Sequence, residues 1–87
     1  MQGYTVIIKK QADKKLKKLP VKERTRLAEK IYCLGRDPNS NNLDTKELDG
    51  SDYWRLRVGD WRIIYAKEDT LKIISIEKIK PRGDAYK

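Results

Sequence analysis

The chain has 87 residues, with 21 Lys or Arg against 13 Asp or Glu, a formal net charge of +8, no histidine and one cysteine. That length holds one small domain, expected to span residues 1–87. The lone cysteine excludes an internal disulfide and a cysteine-cluster zinc site, and fits a reducing compartment. Without histidine there is no Ser-His-Asp or Cys-His relay and no histidine-held metal, so any acid–base work falls to Lys, Arg, Tyr or carboxylates. The basic excess points to a polyanionic partner: RNA, DNA, an acidic protein or an anionic membrane surface. Residues 1–10 lack the apolar core of a signal peptide. No apolar run approaches the length of a bilayer span, so the chain reads as soluble and cytoplasmic. A hydrophobic content of 38% allows a thin core.

Taken in chain order, Tyr4-Thr5-Val6-Ile7-Ile8 is β-branched and aromatic and predicts a strand. The period then changes. Ala12, Leu16 and Leu19 recur at helical spacing among Lys14, Lys15, Lys17 and Lys18. Pro20 ends that helix or opens the next. Leu27, Ala28, Ile31 and Leu34 form a second apolar stripe, with Gly35 as its expected C-cap and Pro38 beyond. Cys33 falls in this second helix, where it is either structural or solvent-facing. Residues 37–51 have the Asn, Asp, Ser and Gly content of a loop. Three strand-like runs follow: Tyr53–Val58, Trp61–Lys67 and Leu71–Ile79. The order β-α-α-β-β-β predicts an α+β domain, a strand and a helical hairpin packed on a twisted, mainly antiparallel four-stranded sheet. Charge is uneven along this order. Residues 1–36 carry a net +8, residues 37–51 a net −3 and residues 52–87 a net +3.

Gly59-Asp60 suits a two-residue hairpin turn. That register sets Val58 opposite Trp61, Arg57 opposite Arg62 and Leu56 opposite Ile63. Alternation then gives two faces. Trp54, Leu56, Val58, Trp61, Ile63 and Tyr65 form an apolar face for the helices. Arg55, Arg57 and Arg62, running into Ile64 and Ala66, form the other. A turn at Glu68-Asp69 extends the register to put Ser75 beside Arg62, with Glu77 on the same face. Directly opposed like charges destabilise a sheet, so Arg57–Arg62 needs an offset. Either the arginines splay into solvent beside a carboxylate such as Glu77, or the face binds an anion, for which the guanidinium fork suits phosphate. Lys78, Lys80, Arg82 and Lys87 surround Tyr86 after the last strand. Pro81 and Gly83 bend this tail, which either frays or folds back over the sheet. Trp54 and Trp61 read as core. Tyr53 lies on the arginine face and is the better candidate for stacking on a base.

The stretch from Leu48 to Tyr65, LDGSDYWRLRVGDWRIIY, together with the closing KPRGDAYK of Lys80 to Lys87, resembles the RelE/ParE toxin superfamily of bacterial toxin–antitoxin systems. The resemblance extends over the whole chain and implies a helical hairpin on a twisted antiparallel sheet. It also implies a toxin neutralised by a cognate antitoxin. The RelE branch cleaves mRNA in the ribosomal A site without metal or other cofactor. In that reaction the ribose 2′-hydroxyl attacks the adjacent phosphate and leaves a 2′,3′-cyclic phosphate. Carried over by position, Arg62 stabilises the charge developing on phosphorus. Arg82 stabilises the same transition state or assists the leaving group. Tyr86 acts as base or orients the nucleotide. Arg55, Arg57, Lys80 and Lys46 are supporting phosphate contacts, and Lys14, Lys15, Lys17 and Lys18 contact ribosomal RNA. Many relatives have Gly-His-Arg where this chain has Lys80-Pro81-Arg82, so the proton carrier is Tyr86 or Lys80. A tyrosine with its ordinary pKa near 10 needs neighbouring cations for that task, and Arg62 and Arg82 act in that direction.

Two other readings stand beside this one. The ParE branch has the same fold and inhibits DNA gyrase without catalysis. A catalytically decayed, basic nucleic-acid-binding relative would keep the charge alone. An acidic amphipathic antitoxin wrapping a small cationic domain also makes thermodynamic sense, since a partner that binds only the folded state raises its stability by mass action.

Overall fold

The computed structural model describes residues 3–48 and 52–81. Its elements are β1 (Thr5–Ile8), α1 (Lys10–Lys18), α2 (Val21–Arg36), β2 (Asp44–Glu47), β3 (Tyr53–Val58), β4 (Trp61–Glu68) and β5 (Ile73–Pro81). The strands form one sheet in the order β1-β5-β4-β3-β2. All its pairings are antiparallel except β1 with β5, which is parallel. The expected four-stranded sheet therefore has a fifth strand, β2, drawn from what composition marks as loop. Asp-Thr-Lys-Glu shows no apolar alternation, and this edge strand forms by pairing with β3, Asp44 opposite Arg57 through Glu47 opposite Trp54.

The helical hairpin covers one face of the sheet. Ala12, Leu16 and Leu19 meet Leu27, Ile31 and Leu34 over Leu56, Val58, Ile63, Tyr65, Ile74, Ile76 and Ile79, all buried, with Leu43 closing the core. Trp54 and Trp61 pack against this cluster. Ala28, expected in the apolar stripe, is exposed instead, and of the two places open to Cys33 it takes the solvent-facing one. Among the described residues no helix is long and apolar enough to cross a membrane.

Pro20 does both jobs open to it. The residue before a proline is pushed out of the helical region. Leu19 accordingly ends α1 at ψ 150, and Pro20 is the N-cap of α2. The lysines in the last turn of α1 lie at the negative end of its dipole.

Gly35 is not the cap. It is buried in the last turn of α2, whose C-cap is Asp37. A Cβ on Gly35 would meet Val6 Cγ2 at 2.6 Å. Its carbonyl accepts the Tyr4 N–H at 2.7 Å, which satisfies one of the orphan carbonyls of the helix end and ties α2 to the start of β1. Glycine is here for close approach, not for a left-handed turn.

One irregularity positions the exposed face of the sheet. From Glu68 back to Tyr65, β4 pairs with Ile73 through Ile76; from Ile64 on, its partners begin at Lys78. Glu77 is the extra residue of a β-bulge. It breaks the alternation, so Ile74 and Ile76 point into the core, and so does Ile79, three residues on. Without it, Lys78 and Lys80 would point at the helices. β5 ends at Pro81, beyond the reach of β1, where a missing N–H costs no ladder bond.

Two outcomes follow from this packing. Gly35→Ala is expected to destabilise the protein by about 1–2 kcal/mol, the overpacking cost exceeding the gain in helix propensity. This should lower the melting temperature by roughly 4–8 °C per kcal/mol. In a Val6→Ala background the same change should be neutral or stabilising, which a double-mutant cycle of thermal melts reads directly. The second outcome concerns Tyr65. Burial pushes its pKa up to about 12, against the opposing effect of its hydrogen bond with Thr45 of β2. The unfolded chain ionises this phenol from its ordinary pKa of about 10. Its contribution is therefore full below pH 10 and lost as the pH rises toward 12. Urea unfolding at pH 8 and pH 11 should show a larger loss for wild type than for Tyr65→Phe.

Candidate functional site

The sheet face turned away from the helices carries its side chains in rungs. The first rung runs Asp44, Arg57, Arg62, Lys80 across β2 to β5. The second runs Lys46, Arg55, Ile64, Lys78. The third runs Tyr53, Ala66, Ser75, with Ile7 of β1 beyond. Neighbouring strands lie about 4.7–4.9 Å apart, so Arg57, Arg62 and Lys80 stand within about 10 Å along one rung. The face is cationic at the end of the first rung and apolar at the third.

The hairpin register read from the sequence is the observed one, with Val58 opposite Trp61 and Arg57 opposite Arg62. Gly59, at φ 57, supplies the left-handed conformation its turn requires. The continuation to β5 is not as expected. Ser75 lies opposite Ala66, and the residue beside Arg62 is Lys80. The turn before β5 is longer than Glu68-Asp69. The Glu68 carboxylate accepts the backbone N–H of Thr70 at 2.7 Å and of Leu71 at 3.3 Å, and Lys72 takes a left-handed φ of 57. Together with the bulge, this brings a third cation, not a serine, to the arginine pair.

The rungs floor a cleft of about 730 Å³. Among the described residues six cations and two carboxylates line it, a net positive charge. The carboxylates are Glu47 and the bulged Glu77. Arg55 is further held by Asp44, Nη2 to Oδ1 at 3.6 Å. Arg62 is only 8% exposed. A guanidinium keeps its charge, and taking it from water between two other cations is unfavourable unless negative charge compensates it. Glu77 is one source of that charge and an anion in the cleft is a second. The geometry can thus grip a phosphate between forked donors and concentrate positive charge where a reacting phosphate would build negative charge.

The other candidates fall elsewhere. Arg82 and Tyr86 lie outside the described residues. β5 delivers the chain to the cationic end of the cleft at Lys80–Pro81. Lys46, Arg55 and Arg57 join Arg62 and Lys80 in the cleft, but Lys14, Lys15, Lys17 and Lys18 do not. They lie on α1, in the layer on the opposite side of the sheet. Lys14 and Lys18 are exposed. Lys17 pairs with Asp13 at 3.0 Å, and the Lys15 ammonium lies 5.7 Å from the centre of the Trp61 ring. Among the described residues, the α1 lysines and the cleft cations thus lie on two separate surfaces.

The tryptophans are structural. Trp61 donates its indole N–H to Glu23 Oε1 at 2.7 Å. Trp54 stacks on Tyr65 with centroids 6.4 Å apart, and the Lys67 ammonium lies 4.6 Å from its ring centre. Tyr53 is 44% exposed and lines the cleft.

Lys78 is a cleft residue that strand alternation alone does not find. A signal for it exists in the sequence: the isoleucines at 74, 76 and 79 change spacing from two to three at Glu77.

Comparison with known proteins gives a consistent result. The family model described as the ParE toxin of the type II toxin–antitoxin system parDE matches residues 6–86. A chain of Methanocaldococcus jannaschii named RelE1 is 37% identical over 86 residues, covering 97% of this chain and 96% of its own. The archaeal RelE–RelB complex of Pyrococcus horikoshii OT3 contains a chain that is 38% identical, with a TM-score of 0.82 over 95% of this chain and 98% of that one. The toxin–antitoxin complex RelBE2 of Mycobacterium tuberculosis contains one that is 25% identical, with a TM-score of 0.78 over 97% of each. With the matched model spanning nearly its whole length, the chain belongs to the RelE/ParE family of type II toxin–antitoxin toxins.

Proposed function

We propose that this toxin is a metal-independent, ribosome-dependent mRNA endoribonuclease that inhibits translation in the cytoplasm, held in check by an antitoxin of the RelB kind. The observation that carries the reading is the rung of Arg57, Arg62 and Lys80, three cations set side by side on the sheet face turned away from the helices. Cleavage by the neighbouring 2′-hydroxyl asks for positive charge around a phosphorane-like transition state, a proton acceptor for the hydroxyl and a donor for the leaving oxygen. Arg62 supplies the first, fixed in place by its burial. Arg55, Arg57 and Lys46 orient the flanking phosphates. Tyr86 or Lys80 is the proton carrier, and Arg82 stabilises the same transition state or assists the leaving group. The α1 lysines, on the far side of the domain, contact ribosomal RNA while the cleft holds the message. The complexes of the Pyrococcus and Mycobacterium relatives with their antitoxins support a protein partner of the same class.

The description of the matched family model, a ParE toxin, favours a second reading in which the target is DNA gyrase and no bond is cleaved by the toxin. One experiment separates the two. Primer extension on a reporter mRNA with purified ribosomes should show cleavage by wild type. Arg62→Ala should slow that cleavage on the order of 10²–10³-fold, the usual cost of removing one transition-state donor. Arg62→Lys should recover only part of it, and Arg82→Ala should also be impaired. Intact mRNA together with DNA breaks and an SOS response on induction would establish gyrase as the target. Charge reversal at Lys14 and Lys18 should weaken ribosome binding and flatten its logarithmic salt dependence by about 0.7–0.9 for each phosphate no longer neutralised. A ribosome affinity that does not change with salt would overturn the role of α1.

A further inference from the structure

The third rung of the sheet face has no role in gripping phosphate, because it contains no cation. We propose that it forms a nucleobase subsite, in which a base of single-stranded RNA stacks on the Tyr53 ring while its backbone runs along β3 toward Arg55 and Arg57. This rests on the reading of the cationic rungs as the RNA phosphate site and deepens it.

Tyr53 opens β3, and side chains on one face of a strand recur about every 6.8 Å. Tyr53, Arg55 and Arg57 therefore form a straight series, an aromatic ring followed by two guanidinium groups. The residue directly opposite Tyr53 is Ala66, whose side chain is too short to cover the ring from the neighbouring strand. The ring accordingly stays 44% exposed. Leu48 donates its backbone N–H to the Tyr53 carbonyl at 2.9 Å, which places a leucine next to the tyrosine; Leu48 and Ile64 line the same cleft. Of the described residues around the ring, Leu48, Ile64 and Ala66 are apolar, and they are continuous with the cations.

Tyr53 also differs from its aromatic neighbours. Trp54 and Tyr65, on the other face, stack on each other and pack in or against the core. Tyr53 is not part of that core. A nucleotide has a charged end and an apolar π-face, and the cleft offers the complementary surfaces in the same order. Charge complementarity favours this occupant over an apolar peptide, which would leave the adjoining six cations uncompensated. Stacking on one ring accepts any base, so the subsite adds affinity and register and does not select a sequence.

The test uses the purified protein and two fluorescein-labelled chains of equal length. One is a 2′-O-methyl hexaribonucleotide, which resists cleavage, and the other is its abasic counterpart. Anisotropy titrations give both affinities. Wild type should bind the base-bearing chain more tightly. Tyr53→Ala should lose roughly 5- to 150-fold on that chain, the equivalent of one stacked base, and nothing on the abasic one. Tyr53→Phe should behave as wild type, which separates stacking from loss of the hydroxyl. Arg57→Ala should weaken both chains. If Arg57→Ala weakens both but Tyr53→Ala changes neither, or changes both equally, the phosphate reading stands and the subsite is wrong. If Arg57→Ala leaves both affinities at the wild-type level, the phosphate reading fails and the subsite with it. A Tyr53→Ala variant that binds both chains normally but no longer binds its antitoxin would make this end of the cleft a protein-docking surface, which also overturns the proposal.

Discussion

Between Ile76 and Lys78, β5 carries one residue more than the strand it runs against, and the rest of the molecule is arranged around that offset. A strand offers its side chains alternately to two environments, here a dry helical layer and an open face. Up to Ile76 the even positions of β5 are apolar and buried; past Glu77 the odd position Ile79 is buried and the even ones are lysines. Without the bulge no single frame fits both halves of the strand. With it, the core keeps Ile79 and the cleft receives Lys78, Lys80 and the bulged carboxylate. The core and the cationic face are therefore consequences of the same local irregularity. Bulges of this kind are common beside active sites because they re-aim side chains without changing the fold.

How far the sequence can be read depends on whether a feature is local. The β3–β4 hairpin is legible because Gly59-Asp60 is a two-residue turn with a glycine where a left-handed backbone is needed. From that turn alone follow the Arg57–Arg62 pair and the burial side of Trp54 and Trp61. The β4–β5 turn has no such mark. Its left-handed residue is Lys72, and it is closed by the Glu68 side chain bonding to backbone two and three residues on, which composition does not announce. The expected register slips there, and Ser75 with it. β2 is hidden for a different reason: Asp44–Glu47 has no strand pattern of its own and is defined by what β3 and Tyr65 offer it. Gly35 looks like a helix terminator because a glycine near a helix end usually is one; its reason is Val6, far away in sequence. Arg62, Lys80, Arg55, Arg57 and Lys46 line one cleft, although four strands have to be placed to show it.

The site also explains a balance within the fold. Three adjacent cations on one rung, one of them buried, oppose the association of β3, β4 and β5. The opposite faces of the same strands supply the compensation, with Leu56, Val58, Ile63, Tyr65 and Ile79 buried beneath the helices. The electrostatic cost on one face and the hydrophobic gain on the other are carried by the same strands. The strands can carry this charge only because they are fixed from behind.

The separation of the two cationic surfaces has a geometric consequence. The α1 lysines and the arginine rungs lie on opposite sides of a body measuring 33 × 28 × 26 Å. An extended polypeptide advances about 3.3 Å per residue, so traversing one such dimension at the domain's edge takes at least about eight residues before either surface is covered. Full neutralisation of this charge distribution is thus a problem of reach as much as of affinity. A small globular protein resting on one side would leave half of it exposed, whereas a long, acidic, belt-like chain could close over both.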